Sequence, residues 1–82
     1  MAYRGASQMP TIATFDGIKI QVFADHSPPH FHAVKAEFEV LITIGSWEVL
    51  QGSMRRGDLD AVMEWAKTHE TELRNEWRRI NG

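Results

Sequence analysis

The sequence predicts an α+β domain: a four- or five-stranded, mainly antiparallel meander followed by one long C-terminal helix packed on one face. Three observations carry that expectation. Phe38, Val40, Ile42 and Ile44 alternate with Glu39 and Thr43, which is the pattern of a half-buried strand. Beyond Asp58 the period turns helical, with Leu59, Val62, Met63, Ala66, Leu73, Trp77 and Ile80 recurring at spacings that line one stripe. Turn-forming residues, Asp16-Gly17 ahead of the alternating run and Gly45-Ser46 directly after it, cut the first half into short strands.

Residues 1–8 are polar, small and patternless, and read as a disordered tail or a remnant, with a single domain over residues 9–82. Thr11–Phe15 is β-prone and closes on Asp16-Gly17, a two-residue hairpin signal. Ile18, Ile20 and Val22 then share one face of a second strand. Pro28-Pro29 interrupts it, because proline lacks a backbone donor and forces its predecessor out of helical space. A strand over residues 31–35 turns tightly at 35–37 into the alternating run, and a last strand is expected over residues 47–51, ended by Gly52. Asp58 is the expected N-cap of a helix of about five to six turns. Asn81-Gly82 tolerates its stop, and Glu70 with Arg74 forms a favourable i,i+4 pair.

A chain of 82 residues is one small domain, and with no cysteine it has neither disulfides nor thiolate zinc ligands to stabilise it. A compact core, a His/carboxylate metal site or a homodimer must serve instead. By strand parity Phe23 and Leu41 fall on the face the helix leaves uncovered, and a second copy is one remedy for such a surface. No apolar run approaches the roughly 18 residues of a membrane span, and no apolar leader stands at the N-terminus, so the expected setting is cytoplasmic. A net charge of −2 argues against a protein that coats nucleic acid. The arginines are uneven: Arg55 and Arg56 precede the helix, and Arg74, Arg78 and Arg79 crowd its end, where they suit the helix dipole. Arg55, Arg56 and Arg78 are the candidates for contacts to phosphate or RNA.

The chemistry concentrates in Asp25-His26-Ser27-Pro28-Pro29-His30-Phe31-His32, which holds three of the four histidines. Imidazole is both the commonest protein metal ligand and the side chain whose unperturbed pKa lies nearest neutrality. His30 and His32 alternate along a strand, so both point to one face and Phe31 to the other. His26 depends on the Pro-Pro bend to fold back toward them, and Asp25 is a further ligand or an acceptor that fixes a tautomer. Three imidazoles with water make a catalytic zinc set; two imidazoles with a carboxylate suit non-haem iron. Zinc or another divalent transition metal is therefore the cofactor these residues would take. His26, His30 and His32 are equally candidates for acid–base catalysis, with His69 on the helix as a fourth member or as a border residue of the core. Exposed or backbone-bonded histidines in a strand-entry turn are the plain alternative. No nucleophile elbow, glycine-rich phosphate loop or deaminase signature accompanies them.

Met9-Pro10-Thr11-Ile12, Gly17-Ile18, Asp25-His26-x-Pro28-Pro29-His30-Phe31-His32-Ala33 and Val49-Leu50-x-Gly52 together resemble the small bacterial family catalogued as domain of unknown function 4160. Leu59, Val62, Trp65, His69, Glu72-Leu73 and Trp77 extend the resemblance over essentially everything after the tail. Arg55 stands where many relatives have proline, and Glu76 where asparagine usually precedes the last tryptophan. Members of that family are often encoded beside a second small family, domain of unknown function 2442. The resemblance thus implies a small partner protein from a neighbouring gene and a toxin–antitoxin-like, RNA-directed role. The Asp25–His32 cluster itself supplies the alternative, a metal- or His-dependent enzyme such as a ribonuclease.

Overall fold

The computed structural model describes residues 11–82; the expected tail, and the start of the domain at residue 9, lie outside the described residues. Five strands form one antiparallel sheet in sequence order: β1 (Thr11–Phe15), β2 (Ile18–Gln21), β3 (His30–Lys35), β4 (Phe38–Thr43) and β5 (Val49–Ser53). Two helices follow, α1 (Arg56–Thr68) and α2 (Glu70–Asn81). The α+β meander expected from the sequence is the fold. None of the described helices is long and apolar enough to cross a membrane.

Turn chemistry sets the first hairpin. Asp16 and Gly17 both have positive φ, 51° and 75°, as a two-residue turn between right-twisted strands requires. Ile18, Ile20 and Val22, then Phe31, Ala33, Val40 and Ile42, are fully excluded from solvent, and Val62, Ala66 and Leu73 of the helices complete the core. Cross-strand pairing stacks these residues in register, Ile20 opposite Ala33, Ala33 opposite Val40 and Phe31 opposite Ile42. The intervening residues of β3, His30 and His32, take the other side of the pleat by alternation.

The last strand begins two residues later than the expected start at Trp47. Thr43 and Glu48 pair through Thr43 N–H to Glu48 O at 2.9 Å, and Trp47 N–H turns back to Thr43 O at 3.2 Å, so the connection is wider than Gly45-Ser46 alone. Trp47 itself has φ of 59° and packs against the core from this turn. Gly52 in β5 has φ of 83°, and a Cβ there would collide with the Glu39 carbonyl of β4. Gly52→Ala is therefore expected to cost more than about 1 kcal/mol, through strain and loss of the β4–β5 approach. Urea denaturation checks this, and an unchanged midpoint would contradict the close approach.

The expected single helix is two. In an unbroken helix the His69 N–H would bond the Trp65 carbonyl. That carbonyl is already taken by the Thr68 hydroxyl at 2.8 Å and by His69 Nδ1 at 2.7 Å. The His69 N–H shifts to Ala66 O, and the residue leaves helical geometry at φ −124°, ψ 27°. Side chains that compete for backbone partners in this way end helices. The N-terminus also differs from expectation. Arg55 occupies the N-cap without a side-chain bond, and Asp58 lies inside the first turn. There its carboxylate suits the helix dipole and takes Lys35 Nζ at 3.0 Å, which ties α1 to the end of β3.

On α2, Glu76 is held below the usual carboxylate range by the hydrogen bond from Arg79, which outweighs the opposing effect of burial, with a smaller contribution from the Arg79 charge. A depressed folded-state pKa gives stability that is present above the unfolded carboxylate value of about 4.3 and is lost as pH falls through the lower folded value. Arg79 is largely exposed, so solvent screening keeps the contribution of the pair small. Glu76→Gln should thus be slightly less stable than wild type at neutral pH and should converge with it in acid. Urea titrations at several pH values read that convergence, and a gap that widens in acid would reverse the sign.

Candidate metal centre

The loop after β2 and the first residues of β3 bring Asp25, His30 and His32 together. Each can offer one ligand atom such that the three atoms lie within 4.8 Å of one another. His30 is buried; its Nδ1–H donates to the Pro28 carbonyl at 2.8 Å, and its Nε2 lies 3.1 Å from Asp25 Oδ2. The Ser27–Pro28 peptide bond is cis. Because a carbonyl only accepts, the Pro28 bond assigns the proton to Nδ1 and leaves the Nε2 lone pair facing a carboxylate oxygen. Two lone pairs at that separation need a cation between them, either a proton or a metal ion. Metal–ligand bonds of about 2.0–2.1 Å at tetrahedral angles put ligand atoms about 3.3 Å apart, close to the separation observed.

His32 is oriented in the same way. Its Nδ1–H donates to Glu39 Oε2 at 2.9 Å, and its Nε2 is buried without a hydrogen-bond partner among the described residues. A buried acceptor left unsatisfied is costly, and an imidazole whose other nitrogen is held by a carboxylate is the usual form of a metal ligand. The rings of His30 and His32 lie 5.5 Å apart, with Phe23 edge-on to His32 at 4.6 Å and Trp77 of α2 at 5.2 Å from His30. Aromatic walls on two sides limit access of water to the nitrogens.

Asp25 is the exposed member, and its carboxyl is held below the ordinary carboxylate range. The largest cause is the His26 backbone N–H, which donates to Oδ1 at 2.8 Å, followed by the His30 ring, with desolvation opposing both. The carboxylate is thus anionic at neutral pH, the form a cation needs.

His26 does not join the trio through its imidazole. It is exposed, and its contribution is the backbone donor that fixes Asp25, so the group that converges is two imidazoles and a carboxylate rather than three imidazoles. His69 stands at the break between the helices, stacked on Trp65 with ring centroids 4.2 Å apart, and serves the helix break instead of completing the cluster. The three arginines do not form one patch. Arg55 lies over the Phe38 ring at 5.7 Å, and Arg56 reaches toward Asp60 at 3.9 Å; both flank the start of α1 near the end of β3. Arg78 is in the last turn of α2, where it bonds Asn75 and borders a recess with Pro29, Arg74 and Trp77.

Glu39, Trp77 and Asn81 are parts of this centre that residue-type reasoning did not single out. Glu39 had a legible signal. A tight turn that pairs Lys35 with Phe38 sets Glu39 diagonal to His32 on the same face.

A family model described as a domain of unknown function, DUF4160, matches residues 17–78. The chain belongs to the DUF4160 family. Neither the curated proteins nor the solved structures contain a match to it. The DUF4160 match takes in Asp25, His30, His32, Glu39 and Trp77, while Asn81 lies beyond its end.

Proposed function

We propose that this protein binds a divalent transition metal, zinc or iron(II) foremost, with Asp25, His30 and His32 as ligands, and that it acts as a metal-dependent enzyme. The observation that carries this reading is the Nε2 of His32, buried and without a hydrogen-bond partner among the described residues, beside the His30–Asp25 pair. Both imidazoles have Nδ1 engaged by an oxygen acceptor, so both turn an unprotonated Nε2 to the site in the neutral state. Three protein ligands leave a coordination position for water or substrate, the arrangement of catalytic rather than structural metal sites. Titration of metal-free protein with Zn2+, Fe2+ and Ni2+ tests it. Binding tighter than about 10 μM, roughly −7 kcal/mol, is expected for at least one ion. Weaker binding of all three removes the reading.

A second reading, favoured by a separate surface, is a partner-binding component of a toxin–antitoxin-like pair in the bacterial cytoplasm. β5 is an edge strand exposed along its length, with Val49 and Leu50 at 44% and 45% exposure. Unpaired edge groups beside apolar side chains suit strand addition by another protein. Family members are often encoded beside domain of unknown function 2442, which supplies the partner to test. Co-elution lost on Leu50→Lys is expected; two proteins that elute separately when mixed at micromolar concentration remove the reading, and self-association without the partner would indicate a homodimer instead.

A further inference from the structure

We infer that Asn81, in the last turn of α2, is the positioning residue of the Asp25 ligand, so that metal occupancy and docking of the end of α2 are coupled. The inference rests on the metal reading of the Asp25–His30–His32 trio and adds to it a residue that contributes no ligand atom.

The geometry is specific. Asn81 Oδ1 accepts the Asp25 backbone N–H at 2.9 Å, and Asn81 Nδ2 donates to the Phe23 carbonyl and to the Trp77 carbonyl, each at 3.2 Å. One side-chain amide thus joins two residues of the β2–β3 loop to the helix that carries it. Asp25 lies outside the strands, where no ladder bond holds its backbone. Its carboxylate is oriented by His26 N–H on Oδ1, which turns Oδ2 toward His30. The Asp25 side chain is therefore aimed from within the loop, and the loop is held to the helix by Asn81. Trp77, one turn before Asn81, packs against His30 and bonds the same amide, so two of the three candidate ligands contact the last turns of α2 directly or through Asn81.

Groups that orient a ligand are typically worth about 10–100-fold in metal affinity. Coupling of two sites is also reciprocal: if Asn81 strengthens metal binding, the bound metal must strengthen the Asn81 contacts by the same factor. In metal-bound wild type the Asp25 amide, and the Gly82 amide that bonds Arg78 O, should exchange with solvent more slowly than in the metal-free protein.

The test compares the full chain, Asn81→Ala, Asp25→Asn and Arg79→Ala, which alters an exposed ion pair on the same turn. Zn2+ affinity is measured by competition, and the Co2+-loaded proteins by visible absorption. Asn81→Ala is expected to lower Zn2+ affinity about 10–100-fold and to move the Co2+ spectrum toward that of Asp25→Asn, with Arg79→Ala unchanged in both. A residue that merely supported the helix would leave the Co2+ spectrum in place. Should Asn81→Ala fail to fold, amide exchange of wild type with and without Zn2+ decides, and equal rates at Asp25 and Gly82 overturn the coupling. If wild type binds Zn2+ tightly and Asn81→Ala binds as tightly with the same spectrum, the positioning role alone is overturned. If wild type binds no metal, the metal reading and this inference both fall.

Discussion

His30→Ala is expected to lower Zn2+ affinity by at least about 100-fold, about 2.7 kcal/mol, because it removes the ligand at the centre of the trio. The same substitution removes a buried side chain beside Trp77 together with the hydrogen bond to the exposed Pro28, so metal-free protein should lose about 1–3 kcal/mol as well. His32→Ala separates the two effects. His32 lies nearer the surface, its side chain 13% exposed against 6% for His30, and its removal strips a ligand at a smaller structural cost. Thermal unfolding with and without metal reads both variants. At a hundredfold excess of Zn2+ over its dissociation constant, wild type should gain about 2.7 kcal/mol. At about 4–8 °C per kcal/mol for a domain of this size, that is an upward shift on the order of 10–20 °C. Neither variant should show it. A shift that persists in His32→Ala would place the ion elsewhere.

Phe31→Ala is expected to have the largest effect on stability. Phe31 is fully excluded from solvent and lies opposite Ile42, on the other side of the pleat from the two histidines that flank it. Truncating such a side chain costs about 3–5 kcal/mol through lost transfer energy and the cavity left behind. A domain of 82 residues has about 4–12 kcal/mol of stability in all, so the variant should be largely or partly unfolded at 37 °C. Metal makes this a test of the site too. An ion that binds only the folded state should restore cooperative unfolding to Phe31→Ala. Circular dichroism through a urea titration, with and without Zn2+, measures both effects; a loss below about 1 kcal/mol would contradict the packing of Phe31.

Much of the fold was legible because it rests on local rules. Asp16-Gly17 is a hairpin by its dihedral demands alone, and the alternation from Phe38 to Ile44 identifies a strand whichever partners surround it. The break at His69 was hidden for an equally physical reason. Helical periodicity runs through it unchanged, and only the capture of the Trp65 carbonyl by Thr68 and His69 side chains ends the first helix. The last strand starts at Val49 because the turn after β4 closes on Glu48, held both by the Thr43 backbone and by the Thr43 hydroxyl, which accepts the Glu48 N–H at 2.8 Å.

For the candidate site the division is similar. Sequence by itself determined that His30 and His32 share a strand face with Phe31 turned away, since strand alternation is independent of everything else in the chain. It determined the neighbourhood of Asp25 and His26 as well. Only the tertiary structure decided that Asp25 and not the His26 imidazole completes the trio, because the direction of a loop side chain depends on what holds the loop. It also supplied the partners that come from far along the chain, Trp77 against His30 and Asn81 on the Asp25 backbone, whereas Glu39 reaches His32 across a single hairpin. Contacts between distant segments follow from how the helices pack on the sheet, and no spacing within a single strand or helix encodes them.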